Sequence, residues 1–156
     1  MDLPTLMDRC APEVGRTTIA AIIQAESKGN PLAIGLNGDN RLARQPRDLA
    51  EAVRWARWFV ARGYSVDIGL MQVNAKNMAR LGVSIERAFD PCVNIRAGSL
   101  VLREFYQTAR NAHGSTEMAL HAALSAYNTG SLTKGFSNGY VKKVIGRQPD
   151  AWPPMR

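Results

Sequence analysis

The chain has 156 residues, of which 46% are apolar and 21% charged, and this length suits a single domain over residues 1–156 that folds without help from a metal. No apolar run approaches the ~20 residues that cross a bilayer, so we expect no membrane span. The formal net charge of +7 favours an anionic partner, but the basic residues are spread without a long run, which argues against a nucleic acid.

Most of the chain has the pattern of helices, so the predicted fold class is mainly α. In order, we predict a short turn at 3–7, a helix from about 17 to 27 capped by Thr17 or Thr18, a helix from Asp48 to Arg62, a short helix at 75–81, a long helix at 91–112, a helix after Ser115 that ends at 128–130, and a last helix at 140–145. Leu49, Val60 and Leu100 fall on the inward stripes of these helices.

Two segments between the helices have no helical period. Residues 32–46 are rich in Gly, Asn and Pro, which predicts an extended loop or a small hairpin that turns at Asn37-Gly38. Residues 65–74 show neither a helical period nor a clean alternation, and we expect an ordered loop there.

The first long helix ends on a carboxylate. Ile19, Ile22, Ile23 and Glu26 fall at i, i+3, i+4 and i+7, so Glu26 shares a stripe with three isoleucines. Partial burial and the negative end of the helix dipole both disfavour the charged form, so we expect the pKa of Glu26 to exceed the ~4.3 of a free glutamate. Such a residue suits general acid catalysis. The alternative is a glutamate whose stem packs on the stripe while its head reaches solvent.

Cys10 and Cys92 are the two cysteines of the chain. Together with His113 and His121 they are too few and too dispersed for a zinc site, and we expect neither a metal nor a cofactor. A disulfide would close a loop of about 80 residues and needs an oxidising compartment. The first fifteen residues lack the basic start and apolar core of a signal peptide. Either the numbering begins at a mature or engineered N-terminus, or the protein is cytosolic with two free thiols.

Three polar or irregular segments lie at or between helix ends: AES at 25–27, GLMQVN at 69–74 and AYNTG at 126–130. In this order and spacing they resemble the lysozyme-like lytic transglycosylases, which carry a glutamate and serine at a helix end, a G-L-M-Q loop and an A-Y-N helix end. The resemblance runs from about Cys10 to Ile145. It is nearer to the transglycosylases of type IV secretion and conjugation systems, which have counterparts of ESKGNPLAIGLN, VDIGLMQVN, the C-A-P at Cys10 and the D-P-C-x-N at 90–94.

This resemblance implies a lysozyme-like α+β fold with a small β hairpin or extended loop beside the cleft. It implies a periplasmic enzyme that degrades peptidoglycan glycan strands and opens the cell wall for a secretion or conjugation apparatus, whose components would be its partners. A location in the periplasm also favours the disulfide between Cys10 and Cys92.

The resemblance further implies that Glu26 protonates the glycosidic oxygen between N-acetylmuramic acid and N-acetylglucosamine. The same residue then takes the proton of the C6 hydroxyl, which gives a 1,6-anhydro product without water. A hydrolase needs a second carboxylate. Where goose-type lysozymes have an aspartate after G-L-M-Q-V, this chain has Asn74, which weakens a hydrolase interpretation. Asp67 is the nearby acid that could restore it, although a role in capping the loop is an alternative. A further alternative is an inactive scaffold that binds the wall.

Seven other residues are candidates for contact with the glycan. Amide and hydroxyl side chains suit the hydroxyl and acetamido groups of sugars, whereas apolar ones suit a sugar face and shield the carboxyl from water. For each of them a structural role in a helix cap, a loop network or the core is the alternative. The candidates are Ser27, Met71, Gln72, Asn74, Tyr127, Asn128 and Tyr140.

Overall fold

The computed structural model describes residues 2–112 and 114–146, so His113 and the tail that contains Trp152 lie outside the described residues. Within these ranges the chain forms nine helices and three short strands. They are α1 Leu3–Cys10, α2 Arg16–Ser27, β1 Ile34–Leu36, α3 Leu49–Ala61, β2 Val66–Ile68, β3 Val73–Asn74, α4 Ala75–Arg80, α5 Ile85–Ala88, α6 Pro91–Ala112, α7 Thr116–Thr129, α8 Lys134–Ser137 and α9 Tyr140–Ile145. The predicted fold class, mainly α with a small β element, is confirmed.

Side-chain caps fix the starts of several helices. Asp48 accepts a hydrogen bond from the N–H three residues on in α3 (2.8 Å), and Ser115 does the same in α7 (3.0 Å). Both starts were predicted correctly. The predicted threonine cap of α2 is wrong, because that helix begins at Arg16 after Gly15 and has no side-chain cap. The turn predicted at 3–7 is also longer than expected, since α1 continues to Cys10.

The three strands form one antiparallel sheet in the order β1-β2-β3. The segment 65–74, expected to be a loop, is therefore a hairpin in which Asp67 lies opposite Asn74. The hairpin predicted at Asn37-Gly38 is wrong, because β1 pairs with β2, about thirty residues later. Gln45 completes the other edge of β1: its side-chain amide accepts from the backbone N–H of Ile34 (2.8 Å) and donates to its carbonyl (3.1 Å).

The core lies around α2, which packs against α1 and α9, while α6 packs against α7. Ile19, Ile22 and Ile23 of α2 are at most 2% exposed, as the stripe predicted. The inward placement of three other side chains is wrong, since they are 37–52% exposed: Leu49, Val60 and Leu100. No helix of residues 2–112 and 114–146 is both long and apolar enough to cross a membrane.

A disulfide joins Cys10, at the end of α1, to Cys92, in the first turn of α6, with a Cα–Cα distance of 5.4 Å. The predicted pairing is confirmed. It closes a loop with a sequence separation of 82 residues. In the chain-entropy model, such a loop contributes about 4 kcal/mol to stability.

Candidate active site

A cleft of about 240 Å³ lies where the end of α2, the β2–β3 hairpin, α6 and the end of α7 meet. The three segments singled out in the sequence each supply part of its lining. The residues around it include Glu26, Asn37, Asp67, Gln72, Asn74, Val101, Phe105, Tyr127 and Asn128. Five of these were predicted from the sequence to contribute to the site as the general acid or as contacts to the glycan, and Asp67 was predicted as a possible second acid.

Glu26 lies in the last turn of α2, with its side chain partly buried. The helix stops immediately afterwards, because Lys28 and Gly29 both have left-handed backbone angles (φ 54° and 82°). Burial raises the pKa of Glu26 to about 7, and the negative charge of Asp67 adds to the rise. The Tyr140 hydroxyl and the Lys143 ammonium act in the opposite direction. The predicted rise is confirmed, and a carboxyl with this pKa can hold near neutral pH the proton that a general acid needs.

Two tyrosines lie near the Glu26 carboxyl. Tyr127 donates its hydroxyl to the backbone carbonyl of Met71 (2.7 Å), which ties the end of α7 to the hairpin. Tyr140 is 8% exposed, and its hydroxyl lies close enough to Glu26 to lower the pKa of that carboxyl. Among the described residues, however, this hydroxyl has no hydrogen bond of standard length and angle. Burial raises the pKa of both phenols, so both remain neutral, and of the two only Tyr127 lines the cleft.

The turn of the hairpin, residues 69–72, is held by one buried side chain. The Asn94 amide oxygen accepts from the Met71 N–H (2.8 Å), and its nitrogen donates to the Ile68 carbonyl (2.8 Å) and to a carbonyl at the end of α5 (2.9 Å). Gly69 has φ 77°, and a Cβ there would lie 2.4 Å from the Asn94 amide. The glycine of the G-L-M-Q motif is therefore required both by its backbone angle and by this contact.

Met71 and Gln72 have different surroundings from each other. The Met71 side chain is fully buried and packs so closely on α6 that a Cβ at Gly98 would lie 2.6 Å from its sulfur. Its side chain does not line the cleft. Gln72 lines the cleft, but its amide donates to the carbonyls of Ala33 (3.1 Å) and Gly69 (3.0 Å), which fixes its left-handed backbone (φ 50°).

A network of amides surrounds Asp67. Its two carboxylate oxygens accept from Asn74 (3.0 Å) and Asn37 (3.1 Å), and the Ser65 hydroxyl accepts from the same two amides. Burial raises the pKa of Asp67, while these hydrogen bonds oppose the rise. Asn74 also caps α4 through its oxygen, which accepts from the Lys76 N–H (3.0 Å). Its amide is thus engaged with the protein itself.

Ser27 and Asn128 are the remaining predicted contacts. Ser27 is buried, donates to the Ile23 carbonyl (3.1 Å) and accepts from the Gly29 N–H (3.2 Å), so its hydrogen bonds are those of a helix end. Asn128 lies at the exposed rim of the cleft, where its oxygen accepts from Asn138 (2.8 Å). Its own amide nitrogen has no partner among the described residues and remains available to a ligand.

Several residues of the site were not found from the sequence. Asn37 was interpreted only as a turn residue, although it lies within the matched stretch ESKGNPLAIGLN. Val101 and Phe105 follow the apolar period of α6, and such a period does not distinguish a residue that lines a cleft from one in the core. Lys143 gave no local signal, since its effect on Glu26 arises only when α9 packs on α2.

The model of the transglycosylase SLT domain matches residues 5–148. The chain belongs to this family. It is 42% identical over 146 residues to the type IV secretion system protein virB1 of Brucella abortus biovar 1, covering 90% of this chain and 61% of that protein. It is also 36% identical over 146 residues to protein virB1 of Agrobacterium fabrum (94% and 59%) and 38% identical over 140 residues to protein virB1 of Rhizobium radiobacter (87% and 56%). The SLT chain thus spans about three fifths of the length of these relatives.

Proposed function

We propose that this SLT domain is a peptidoglycan lytic transglycosylase that cleaves the β-1,4 bond between N-acetylmuramic acid and N-acetylglucosamine. The observation that carries the proposal is Glu26: a carboxyl with a pKa of about 7, partly buried in a cleft whose other carboxyl, Asp67, accepts hydrogen bonds from two amides. Family membership and the relatives named virB1 support the same activity.

In this reaction Glu26 donates its proton to the glycosidic oxygen as the bond to the muramic C1 breaks. The resulting carboxylate then accepts the proton of the muramic C6 hydroxyl while the C6 oxygen bonds to C1, so the carboxyl is regenerated and no water is consumed. Burial favours the protonated form before the first step, and the Tyr140 hydroxyl and Lys143 stabilise the carboxylate between the steps. The mechanism uses neither a metal nor a cofactor.

The proposal includes a cellular role. An exported enzyme with this activity would open the peptidoglycan locally for a type IV secretion apparatus, the system to which the virB1 protein of Brucella abortus belongs by name. The disulfide between Cys10 and Cys92 supports a periplasmic location, because that compartment is oxidising. Glycan strands and components of the apparatus are then the partners.

A hydrolytic lysozyme-like activity is the second candidate, because Asp67 lines the same cleft and acts electrostatically on Glu26. Against a role as the base that activates water, both oxygens of Asp67 already accept hydrogen bonds from Asn37 and Asn74. An inactive scaffold that only binds the wall is the third candidate.

Mass spectrometry of a digest of purified peptidoglycan separates the three candidates. We expect 1,6-anhydromuramic products, which are one water lighter than hydrolytic products, and no products from Glu26→Gln. Reducing ends that carry the mass of water would establish the hydrolase instead. Wall binding by the parent protein without turnover would establish the scaffold.

A further inference from the structure

A second groove continues the cleft past the open end of the sheet. It has a volume of about 380 Å³ and is lined by Asn37, Asn40, Arg62, Gly63, Tyr64 and Ser65. Asn37 lines both this groove and the cleft. The Ser65 hydroxyl accepts from Asn37 (2.9 Å) and Asn74 (3.0 Å), so a lining residue of this groove belongs to the hydrogen-bond network around Asp67 in the cleft. The groove and the cleft are therefore neighbours.

Arg62 places a positive charge at this groove, and contacts with Trp58 hold its side chain in position. Its guanidinium lies 3.8 Å from the centre of the Trp58 ring, and one nitrogen donates to the Trp58 carbonyl (3.2 Å). Two other arginines of α3, Arg54 and Arg57, pair with acidic residues. Within the described part of the chain no carboxylate lies within ion-pair distance of Arg62, and most of its five N–H donors are unused.

The side of the groove beside Arg62 is formed by aromatic rings that pack on one another. Tyr64 packs edge-on against Phe59 (5.2 Å between ring centres) and lies 6.4 Å from Trp58, yet it remains 36% exposed. Its hydroxyl and the Asn40 amide have no hydrogen-bond partners among the described residues. The groove thus offers one fixed cation, an aromatic face and unused donors to a ligand.

We infer that this groove binds the carboxylate-bearing peptide stem of a muramic residue next to the bond that is cut. This inference rests on the proposed function and adds a contact to the peptide part of the substrate. A stem peptide combines a carboxylate with backbone amides, which matches a guanidinium fork beside an amide and a phenol. In the intact wall the lactyl carboxyl of the muramic residue is bound as an amide to the stem, so the free carboxylates nearest to a bound glycan belong to the peptide.

The test compares two substrates that differ only in the charge of the stem: glycan fragments with intact peptides, and the same fragments with the peptide carboxylates converted to methylamides. Affinity is measured in the Glu26→Gln background, and kcat/KM in the active protein. Each is measured with native Arg62, with Arg62→Gln, and with Arg54→Gln as the matched control, which removes the same charge from within α3, the helix that Arg62 follows. Arg62→Lys tests whether the fork is needed, and thermal midpoints show whether each variant is folded.

We expect fragments with free stem carboxylates to bind about three- to tenfold more tightly than those with amidated stems, as for a partly exposed charge-assisted pair. Arg62→Gln should abolish this preference through KM and leave the amidated fragments unaffected, Arg62→Lys should retain part of it, and Arg54→Gln should retain all of it. Equal affinity for both substrates, or equal losses in the Arg62 and Arg54 variants, would overturn the inference. If binding shows the preference but the active protein makes no product from either substrate, the proposed function fails and the inference stands.

Discussion

Replacing Glu26 by Gln should stabilise the protein at alkaline pH and leave its stability unchanged in acid. The reason is the difference in the pKa of this carboxyl between the two states: about 7 in the folded protein, against an ordinary value of 4.5. Below pH 4.5 the carboxyl is protonated in the folded and the unfolded state, so its ionisation does not change the free energy of unfolding. As the pH rises towards 7 the unfolded chain ionises first, so the parent loses stability across this window, and above it the full penalty remains.

The size of the penalty follows from the same two values. Each pKa unit corresponds to 1.36 kcal/mol, which gives about 3 kcal/mol as an upper figure for a partly buried group. In a protein of this length, 1 kcal/mol moves the thermal midpoint by about 2–4 °C. At pH 8 the Glu26→Gln midpoint should therefore exceed that of the parent by several degrees, whereas at pH 4 the two midpoints should coincide.

The assay is urea or thermal unfolding of both proteins from pH 4 to pH 8.5, with peptidoglycan turnover on the same samples. Glu13→Gln is the matched control, because it makes the same chemical change at an exposed glutamate outside the cleft. Turnover by Glu26→Gln should fall by at least the ~10² attributed to general acid catalysis. A variant that loses stability at pH 8 and still turns over the wall would show that Glu26 is structural.

Three further predictions concern the cleft around Glu26, the turn of the hairpin and the disulfide. Asp67→Asn removes a negative charge that raises the pKa of the cleft glutamate, so the alkaline limb of the pH–rate profile should move to lower pH, whereas Tyr140→Phe should move it to higher pH; limbs that do not move would mean that the profile reports another group. Asn94→Ala leaves three buried backbone groups unpaired and should cost about 2–4 kcal/mol in urea unfolding, unlike a surface substitution. Reducing the bond between Cys10 and Cys92 should cost about 4 kcal/mol; an unchanged urea midpoint would show that the loop does not constrain the unfolded chain.

The helices could be predicted because their signals are local. Asp48 and Ser115 cap the helices that follow them, and the long apolar period of α6 fixes its extent. The sheet could not be predicted, because strands of two or three residues are too short to show alternation. The partner of β1 lies beyond α3, so the Asn37-Gly38 turn signal predicted the wrong pairing.

The site was partly predictable for the same reason. Glu26 stands out because a carboxylate on an apolar stripe at a helix end is visible in one segment. Asn94 and Lys143 act through tertiary contacts that no local pattern records. Ser27 and Met71 were placed in the right segments, but their side chains bond to the helix end and pack in the core. The type of residue in a motif therefore does not decide between a role in binding and a role in holding the motif.

The pKa of Glu26 is a balance set by elements far apart in the chain. α2 provides only the position, and burial by the surrounding elements provides the largest rise. The hairpin adds to that rise through Asp67, whereas α9 counteracts it through Tyr140 and Lys143. The charge of Asp67 and the groups on α9 therefore act in opposite directions on a carboxyl whose pKa is raised chiefly by burial. Acid catalysis at this residue thus depends on the packing of several elements around the end of α2.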